Sequence, residues 1–173
     1  MIGKIQGNIV DLLYAPLSAT EVTISVCLAA VTRSFMIAAI SIIVFYFMID
    51  IQIKHFFTLI LFTFLSSFIL GNIGTIAGLW AEKFDHMASV TNFVIVPLSF
   101  LSGTFYTIDR LPGFLKTVSE ANPFFYMIDG FRYSFIGVAD GSIKVGIIYL
   151  TILSFLSWLA TYILFKKGYK IKS

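Results

Sequence analysis

The sequence is dominated by four long apolar segments that contain neither aspartate nor glutamate. They are residues 28–49, 56–80, 87–106 and 146–165. A bilayer core about 30 Å thick requires roughly 20 helical residues to cross it, and each segment is long enough. Hydrophobic residues make up 58% of the chain and charged residues only 12%, which is unlike a soluble domain. The sequence therefore predicts an all-α integral membrane protein with four transmembrane helices, in one membrane domain covering residues 1–173.

The charges between these segments predict their orientation. The tail 166–173 carries four lysines and no acidic residue, and the positive-inside rule places such a tail in the cytoplasm. Four spans then place residues 1–21 and the 82–86 loop on the same side. Residues 50–55 and 107–145 are expected outside. The net charge of +3 lies mostly in the tail, so it indicates topology and gives no reason to expect a nucleic-acid partner.

The outer stretch 107–145 is apolar but is interrupted by proline and glycine. Its most apolar part, residues 123–137, would form about 22 Å of helix. That length is too short to cross the bilayer, and the composition is too apolar for an ordinary loop. Irregular backbone is tolerated at membrane depth only against protein or a wet cavity. We therefore expect an outer re-entrant helical hairpin here.

Residues 1–21 contain two helix signals. A short helix over about 9–14 must end before Pro16, because the residue before a proline is disfavoured in the α region. The pattern of Ser18 followed by Glu21 is typical of a capping box that begins a new helix. An isolated two-turn helix is marginal in water and needs a surface to pack on. Two interpretations follow: a helix lying on lipid headgroups, or a docking element for a cytoplasmic partner.

Several short motifs in the second half of the chain resemble the C-terminal signature of the ABC type-2 export permeases. They are Pro97, Phe100-Leu101-Ser102-Gly103, Phe105-Tyr106, Leu111-Pro112, Asn122-Pro123 and Arg132. Each motif alone is weak, whereas their order and spacing together are fairly specific. The resemblance covers the whole chain, as roughly the last two-thirds of a family member. Thr107 departs from the pattern, because the family often has proline there, and it weakens only the local match.

In that family a six-span membrane subunit of an ATP-driven exporter pairs with a separate ATP-binding subunit. The resemblance implies that the four segments correspond to the family's spans three to six. The family's N-terminal interfacial helix and first two spans then have no counterpart in this sequence, which points to a fragment or a misplaced start codon. It also implies a multi-pass protein of the inner or plasma membrane that works as a dimer, most simply a homodimer, in contact with lipid. Such a subunit is not an enzyme and carries no cofactor.

The start of the chain resembles the family's cytoplasmic loop between the second and third spans, which holds a coupling helix seated on the ATP-binding subunit. The implied coupling residues are Asp11, Leu12, Leu13, Pro16, Leu17, Ser18 and Glu21. The resemblance therefore favours docking over a helix that only lies on headgroups. The 82–86 loop either faces the same partner or is simply solvated.

The outer hairpin is expected to act as a gate or seal. The implied gate residues are Pro97, Ser102, Gly103, Phe105, Tyr106, Pro112, Asn122, Pro123, Asp129 and Arg132. Asp129 and Arg132 are spaced i, i+3, so they share one face of a helix and can pair. That pair serves either as a structural ion pair that holds the hairpin or as a contact within the gate.

Three further features of the spans are open to more than one interpretation. Arg33 either lies a turn or so inside Leu28 and extends to the headgroups, or faces inward toward a dimer mate or an anionic substrate group. A small-residue face around Gly71 and Gly74 permits close helix packing, within the chain or between copies. The lone Cys27 is expected to be a buried, inert thiol.

No catalytic or metal-binding constellation is present in the sequence. It has no GxxxxGK[ST] phosphate loop and no HExxH motif, and His55 and His86 lie in loops predicted on opposite faces. Proton- or sodium-driven carriers usually place ionisable groups at membrane depth, and the four segments contain no acidic residue. A secondary carrier or channel, and a non-transporting membrane assembly protein, are the alternatives to a permease subunit.

Overall fold

The computed structural model describes residues 17–49, 52–104 and 112–169. Its helices are α1 Ala19–Met48, α2 Phe56–Trp80, α3 Phe84–Val90, α4 Val96–Phe100, α5 Gly113–Ala121, α6 Pro123–Ile136 and α7 Ile143–Lys166. A π-helical turn, Thr91–Ile95, joins α3 to α4. The described residues contain no strand, and the all-α fold class is confirmed.

Helix α1 begins at the predicted capping box. The Ser18 hydroxyl accepts a hydrogen bond from the Glu21 backbone N–H at 3.3 Å, and the Glu21 carboxylate accepts one from the Ser18 N–H at 2.7 Å. The helix then continues for 30 residues without proline or glycine. The predicted span 28–49 is therefore the later part of a longer helix that starts at Ala19.

Three of the described helices, α1, α2 and α7, are long and apolar enough to cross a membrane. The predicted span 87–106 is instead divided into α3, the π-helical turn and α4. Pro97 cannot donate a backbone hydrogen bond, and its ring crowds the preceding turn. The helix widens just before it, where the Val96 N–H bonds to the Thr91 carbonyl. Helix α4 ends at Phe100, and both the bounds of the span predicted over 87–106 and the count of four spans stay predictions.

Helix α2 lies at the centre of the bundle and contacts α1, α6 and α7. The core on its α6 and α7 side consists of Phe62, Leu65, Ile69, Met127 and Leu150. Lipid tails are as apolar as these side chains, so helices in a membrane are held together mainly by close fit and polar contacts. The stability of the bundle therefore depends more on how closely α2 packs on its neighbours than on the total apolar area buried.

The contact between α1 and α2 uses part of the predicted small-residue face. A Cβ atom on Gly71 would lie 2.7 Å from the Ala30 Cβ, whereas one on Gly74 would meet nothing within 4 Å. Next to Gly71, the Cys27 thiol donates to the Asn72 side-chain oxygen at 3.3 Å. Cys27 is buried, as predicted. The face thus packs within the chain at Gly71.

Candidate functional site

The stretch expected to form the hairpin contains two short helices, α5 and α6, that meet at a one-residue corner. Asn122 caps α6 by accepting a hydrogen bond from the Phe124 N–H at 3.0 Å. Pro123 occupies the start of α6, where its missing N–H is not needed. Pro112 directly precedes α5, with φ of −57° and ψ of 147°, and makes no side-chain capping bond. Helix α6 is about 21 Å long, which is too short to cross a bilayer core.

The corner is bonded to the end of α4. The Asn122 side-chain amide donates to the Leu98 carbonyl at 2.7 Å, and Asn122 is buried. That carbonyl is free for Asn122 because α4 ends at Phe100 and the Ser102 N–H bonds to Ser99 instead. The segments that carry the Pro97 motif and the Asn122 motif are therefore in direct contact, through the hydrogen bond from Asn122 to Leu98.

The turn after α4 aims a backbone carbonyl at α6. Gly103 has φ of +77°, in the left-handed region that glycine adopts without steric cost. Its carbonyl accepts a hydrogen bond from the Arg132 guanidinium at 2.7 Å. The buried Ser102 hydroxyl holds the turn through the Ser99 carbonyl and the Thr104 hydroxyl. The Ser-Gly motif thus fixes the geometry that Arg132 requires.

Arg132 connects three segments of the chain. Besides the Gly103 carbonyl it forms an ion pair with Asp140, in the turn between α6 and α7. The predicted partner Asp129 lies farther away, at 3.9 Å. The sequence analysis did not predict Asp140 as a partner. Asp140 lies after Gly137, where α6 has ended, so helical spacing cannot tell which residues lie near Arg132. The pair predicted from i, i+3 spacing is therefore the weaker of the two.

Asp129 has a different principal role. One carboxylate oxygen accepts the Asp140 N–H at 2.8 Å and the other accepts the Gly141 N–H at 3.0 Å. The residue is only 2% exposed. Burial raises the pKa of the Asp129 carboxyl, and although the two backbone donors lower it, the net shift is upward. Asp129 therefore holds the turn that leads into α7.

The C-terminal end of α6 meets the loop that precedes α2. The Lys54 ammonium donates to the Ile136 carbonyl at 2.6 Å, and the backbone N–H groups of Lys54 and His55 both donate to the Ser134 carbonyl at 3.0 Å. The loop before α2 and the turn after α6 therefore lie at the same end of the bundle. That both lie outside the membrane stays a prediction.

The corner between α5 and α6 lies farther inside the bundle than the end at which α2 and α7 begin. The Tyr149 hydroxyl donates to the Ala121 carbonyl at 2.8 Å. Tyr149 is about 9 Å along α7 from Ile143, at 1.5 Å per residue. Helix α6 therefore runs alongside α7 from this deeper corner back to the end of the bundle where α7 begins.

Of the implied coupling residues, the structure describes three. Leu17 is 48% exposed, and Ser18 and Glu21 are exposed and bonded to each other at the start of α1. The remaining coupling residues, Asp11, Leu12, Leu13 and Pro16, lie outside the described residues, as do the gate residues Phe105 and Tyr106. Within residues 17–49, 52–104 and 112–169, no group of three His, Cys, Asp or Glu side chains could hold a metal ion.

Comparison with known protein families decides what kind of bundle this is. The family model described as ABC-2 type transporter matches residues 2–136, well over half of the chain. The chain belongs to this family. The resemblance seen in the motifs is thereby confirmed, and the protein is a multi-pass membrane protein. ATP hydrolysis in such transporters lies in a separate subunit, so this family member is not an enzyme.

Curated relatives of this ABC-2 family member are similar over nearly its whole length. The inner membrane transport permease YadH of Escherichia coli strain K12 is 30% identical over 172 residues, which cover 98% of this chain and 66% of YadH. The YadH proteins of Escherichia coli O157:H7 and Shigella flexneri show the same identity and coverage. The chain therefore spans just under two thirds of the length of these relatives. No solved structure matches it.

Proposed function

We propose that the chain is the permease subunit of an ABC exporter in the inner membrane, driven by a separate ATP-binding subunit that docks on residues 1–21. The observation that carries this proposal is the family match over residues 2–136. Transport in the outward direction follows the exporters that the chain resembles. A second permease copy completes the path, and lipid surrounds the exposed apolar faces of the bundle.

Helix α1 is suited to transmit force from a docked partner. It is about 45 Å long, and its 30 residues include neither proline nor glycine, the residues at which helices most often bend. Its first turn is closed by the Ser18 capping box. A push on the segment just before Ser18 therefore displaces the whole helix and, through its contacts, α2 and α7.

The α5–α6 pair is suited to act as a seal at the end of the bundle opposite to the start of α1. Arg132 bonds it to the turn after α4 and to the turn before α7. Asn122 bonds it to the Leu98 carbonyl. Because both residues bridge separate segments, the pair follows any displacement of α4 or α7. We expect the seal to open as a unit when the spans move.

The docking region is tested by copurification with an ATP-binding protein that carries GxxxxGK[ST] and is encoded in an adjacent reading frame. Asp11→Arg reverses a charge, and Leu13→Asp places a charge in an apolar contact. We expect either change to weaken docking by about 2 kcal/mol or more, roughly thirtyfold in affinity. Recovery of the ATP-binding protein with the tagged chain measures the loss.

Lys144→Glu is the matched control, because it reverses an exposed charge in the first turn of α7, at the far end of the bundle. It is expected to copurify like the wild type. If Asp11→Arg and Leu13→Asp also copurify unchanged, docking through residues 1–21 is wrong.

A further inference from the structure

A cavity of about 430 Å³, widely open to the surroundings of the bundle, lies between α1, α2 and α6. Its polar lining consists of Arg33 and Ser34 from α1 and Thr63, Ser66 and Ser67 from α2. Its apolar lining includes Ile37, Leu70 and Phe131. The volume is in the range of sites that hold small molecules. The outer gate and the docking region do not include any of these residues.

Arg33 lies near the middle of the membrane-crossing part of the bundle. It shares the cavity with Ser67, which is about 17 Å from Phe56 and about 20 Å from Trp80 along α2. A bilayer core is about 30 Å thick. Long basic side chains reach the headgroups from positions near helix ends. Arg33 lies at the level of Ser67, which is not near either end of α2. Arg33 therefore lies at mid-depth, where its exposed side chain lines the cavity.

The Arg33 guanidinium has no carboxylate partner among the described residues. The nearest acidic residue along α1, Glu21, is about 18 Å away along the helix and is bonded to Ser18. The apolar segments contain no acidic residue. A charge at membrane depth is costly unless it faces water or a partner charge, and an anion from outside the two helices would supply the partner charge that the described residues lack.

Ser66 lines the same cavity, and its buried hydroxyl is an unused hydrogen-bond donor. It is 7% exposed, and its hydroxyl has no hydrogen-bond partner in the described part of the chain. Its neighbours differ, because Thr63 donates to the Leu59 carbonyl at 2.7 Å and Ser67 to the Thr63 carbonyl at 2.6 Å. A buried hydroxyl is normally paired. The free donor of Ser66 therefore points to a ligand with acceptor atoms.

We propose that this cavity binds the anionic group, a phosphate or a carboxylate, of an amphiphile that the permease transports. The planar guanidinium of Arg33 matches two oxygens of such a group, and the Ser66 hydroxyl donates to a third or shared oxygen. The apolar wall formed by Ile37, Leu70 and Phe131 receives the adjoining hydrocarbon. That the occupant is transported rests on the proposed function, whereas the binding chemistry does not.

The test uses the full chain in phosphatidylcholine nanodiscs and two photoreactive probes, an alkyl phosphate with a diazirine beside the phosphate and the corresponding uncharged alkyl alcohol. Mass spectrometry of the peptides around Arg33 and Ser66 measures labelling. The alkyl phosphate is expected to label these peptides, and excess unlabelled alkyl phosphate is expected to compete. We expect labelling to fall about tenfold in Arg33→Gln, to fall less in Arg33→Lys, which keeps the charge but loses the two-oxygen contact, and to fall a few-fold in Ser66→Ala.

Two controls separate loss of the site from loss of folding or of charge in general. Labelling by the alkyl alcohol is expected to be equal in the wild type and Arg33→Gln. Lys144→Gln, which removes an exposed cation from α7, is expected to label like the wild type. If Arg33→Gln and Ser66→Ala are both labelled by the alkyl phosphate as strongly as the wild type, the site is refuted.

Phosphatidylglycerol added to the nanodiscs distinguishes a transported amphiphile from a bilayer lipid. Labelling that persists supports a transported occupant, whereas labelling that disappears assigns the cavity to a lipid headgroup and overturns the substrate claim. The assay needs no ATP-binding subunit, so its failure is distinct from a failure of docking through residues 1–21.

Discussion

Gly130→Ala is expected to destabilise the bundle strongly, because α6 packs directly on α2 at this residue. A Cβ atom on Gly130 would lie 2.1 Å from Cδ1 of the Phe62 ring. Phe62 is fully buried between α2, α6 and α7, so its ring has no free space to enter. Overpacking a tight core costs about 1–3 kcal/mol and sometimes more. Thermal unfolding and the monodisperse fraction of detergent-solubilised protein measure the effect.

Gly74→Ala provides the matched control, since a Cβ there meets nothing within 4 Å. Alanine is the better helix former by about 1 kcal/mol, so this variant is expected to be as stable as the wild type or more so. Combining Phe62→Ala with Gly130→Ala is expected to cost less than the sum of the two single changes, because both act on one contact. Equal stability of Gly130→Ala and Gly74→Ala would show that α6 does not pack on Phe62.

Asp129→Ala is expected to release the turn before α7. The carboxylate accepts the N–H groups of Asp140 and Gly141, and each hydrogen bond to a charged group contributes about 1.5–3 kcal/mol. Hydrogen exchange at these two amides is expected to accelerate by about tenfold for each 1.4 kcal/mol lost. Mass-spectrometric exchange of the peptide that spans the turn measures this acceleration.

Asp129→Asn separates charge from acceptor geometry, because the amide oxygen can still accept one of the two bonds. We expect an intermediate acceleration. Asp85→Ala removes an exposed carboxylate from the first turn of α3 and is the control. If the turn exchanges equally slowly in Asp129→Ala and Asp85→Ala, Asp129 does not anchor it.

The features that could be predicted from the sequence are those determined by neighbouring residues. The capping box at Ser18 and Glu21 follows from four consecutive positions, and α2 follows from an uninterrupted apolar run between two polar breaks. The corner at Pro123 follows from the fixed φ of proline and the capping preference of Asn122. In each case the deciding interaction lies within one turn of helix.

The features that could not be predicted depend on how distant segments align. The Asn122 bond to Leu98 requires the helix to end at Phe100, which depends on the π-helical turn before Pro97. The ion pair of Arg132 with Asp140 depends on the path of the turn after Gly137. The cavity beside Arg33 depends on the alignment of α1 with α2. Sequence periodicity describes each helix alone and does not fix these alignments.

The most direct test of the account is the side of the membrane that each end of the bundle faces. In a Cys27→Ser background, single cysteines replace Leu17, Lys83 and Val138, all exposed positions. Right-side-out membrane vesicles are then treated with an impermeant maleimide. The account predicts that Val138→Cys is labelled at once, and that Leu17→Cys and Lys83→Cys are labelled only after permeabilisation. Labelling of Leu17→Cys in intact vesicles would contradict it, because an ATP-binding subunit in the cytoplasm could not reach the start of α1.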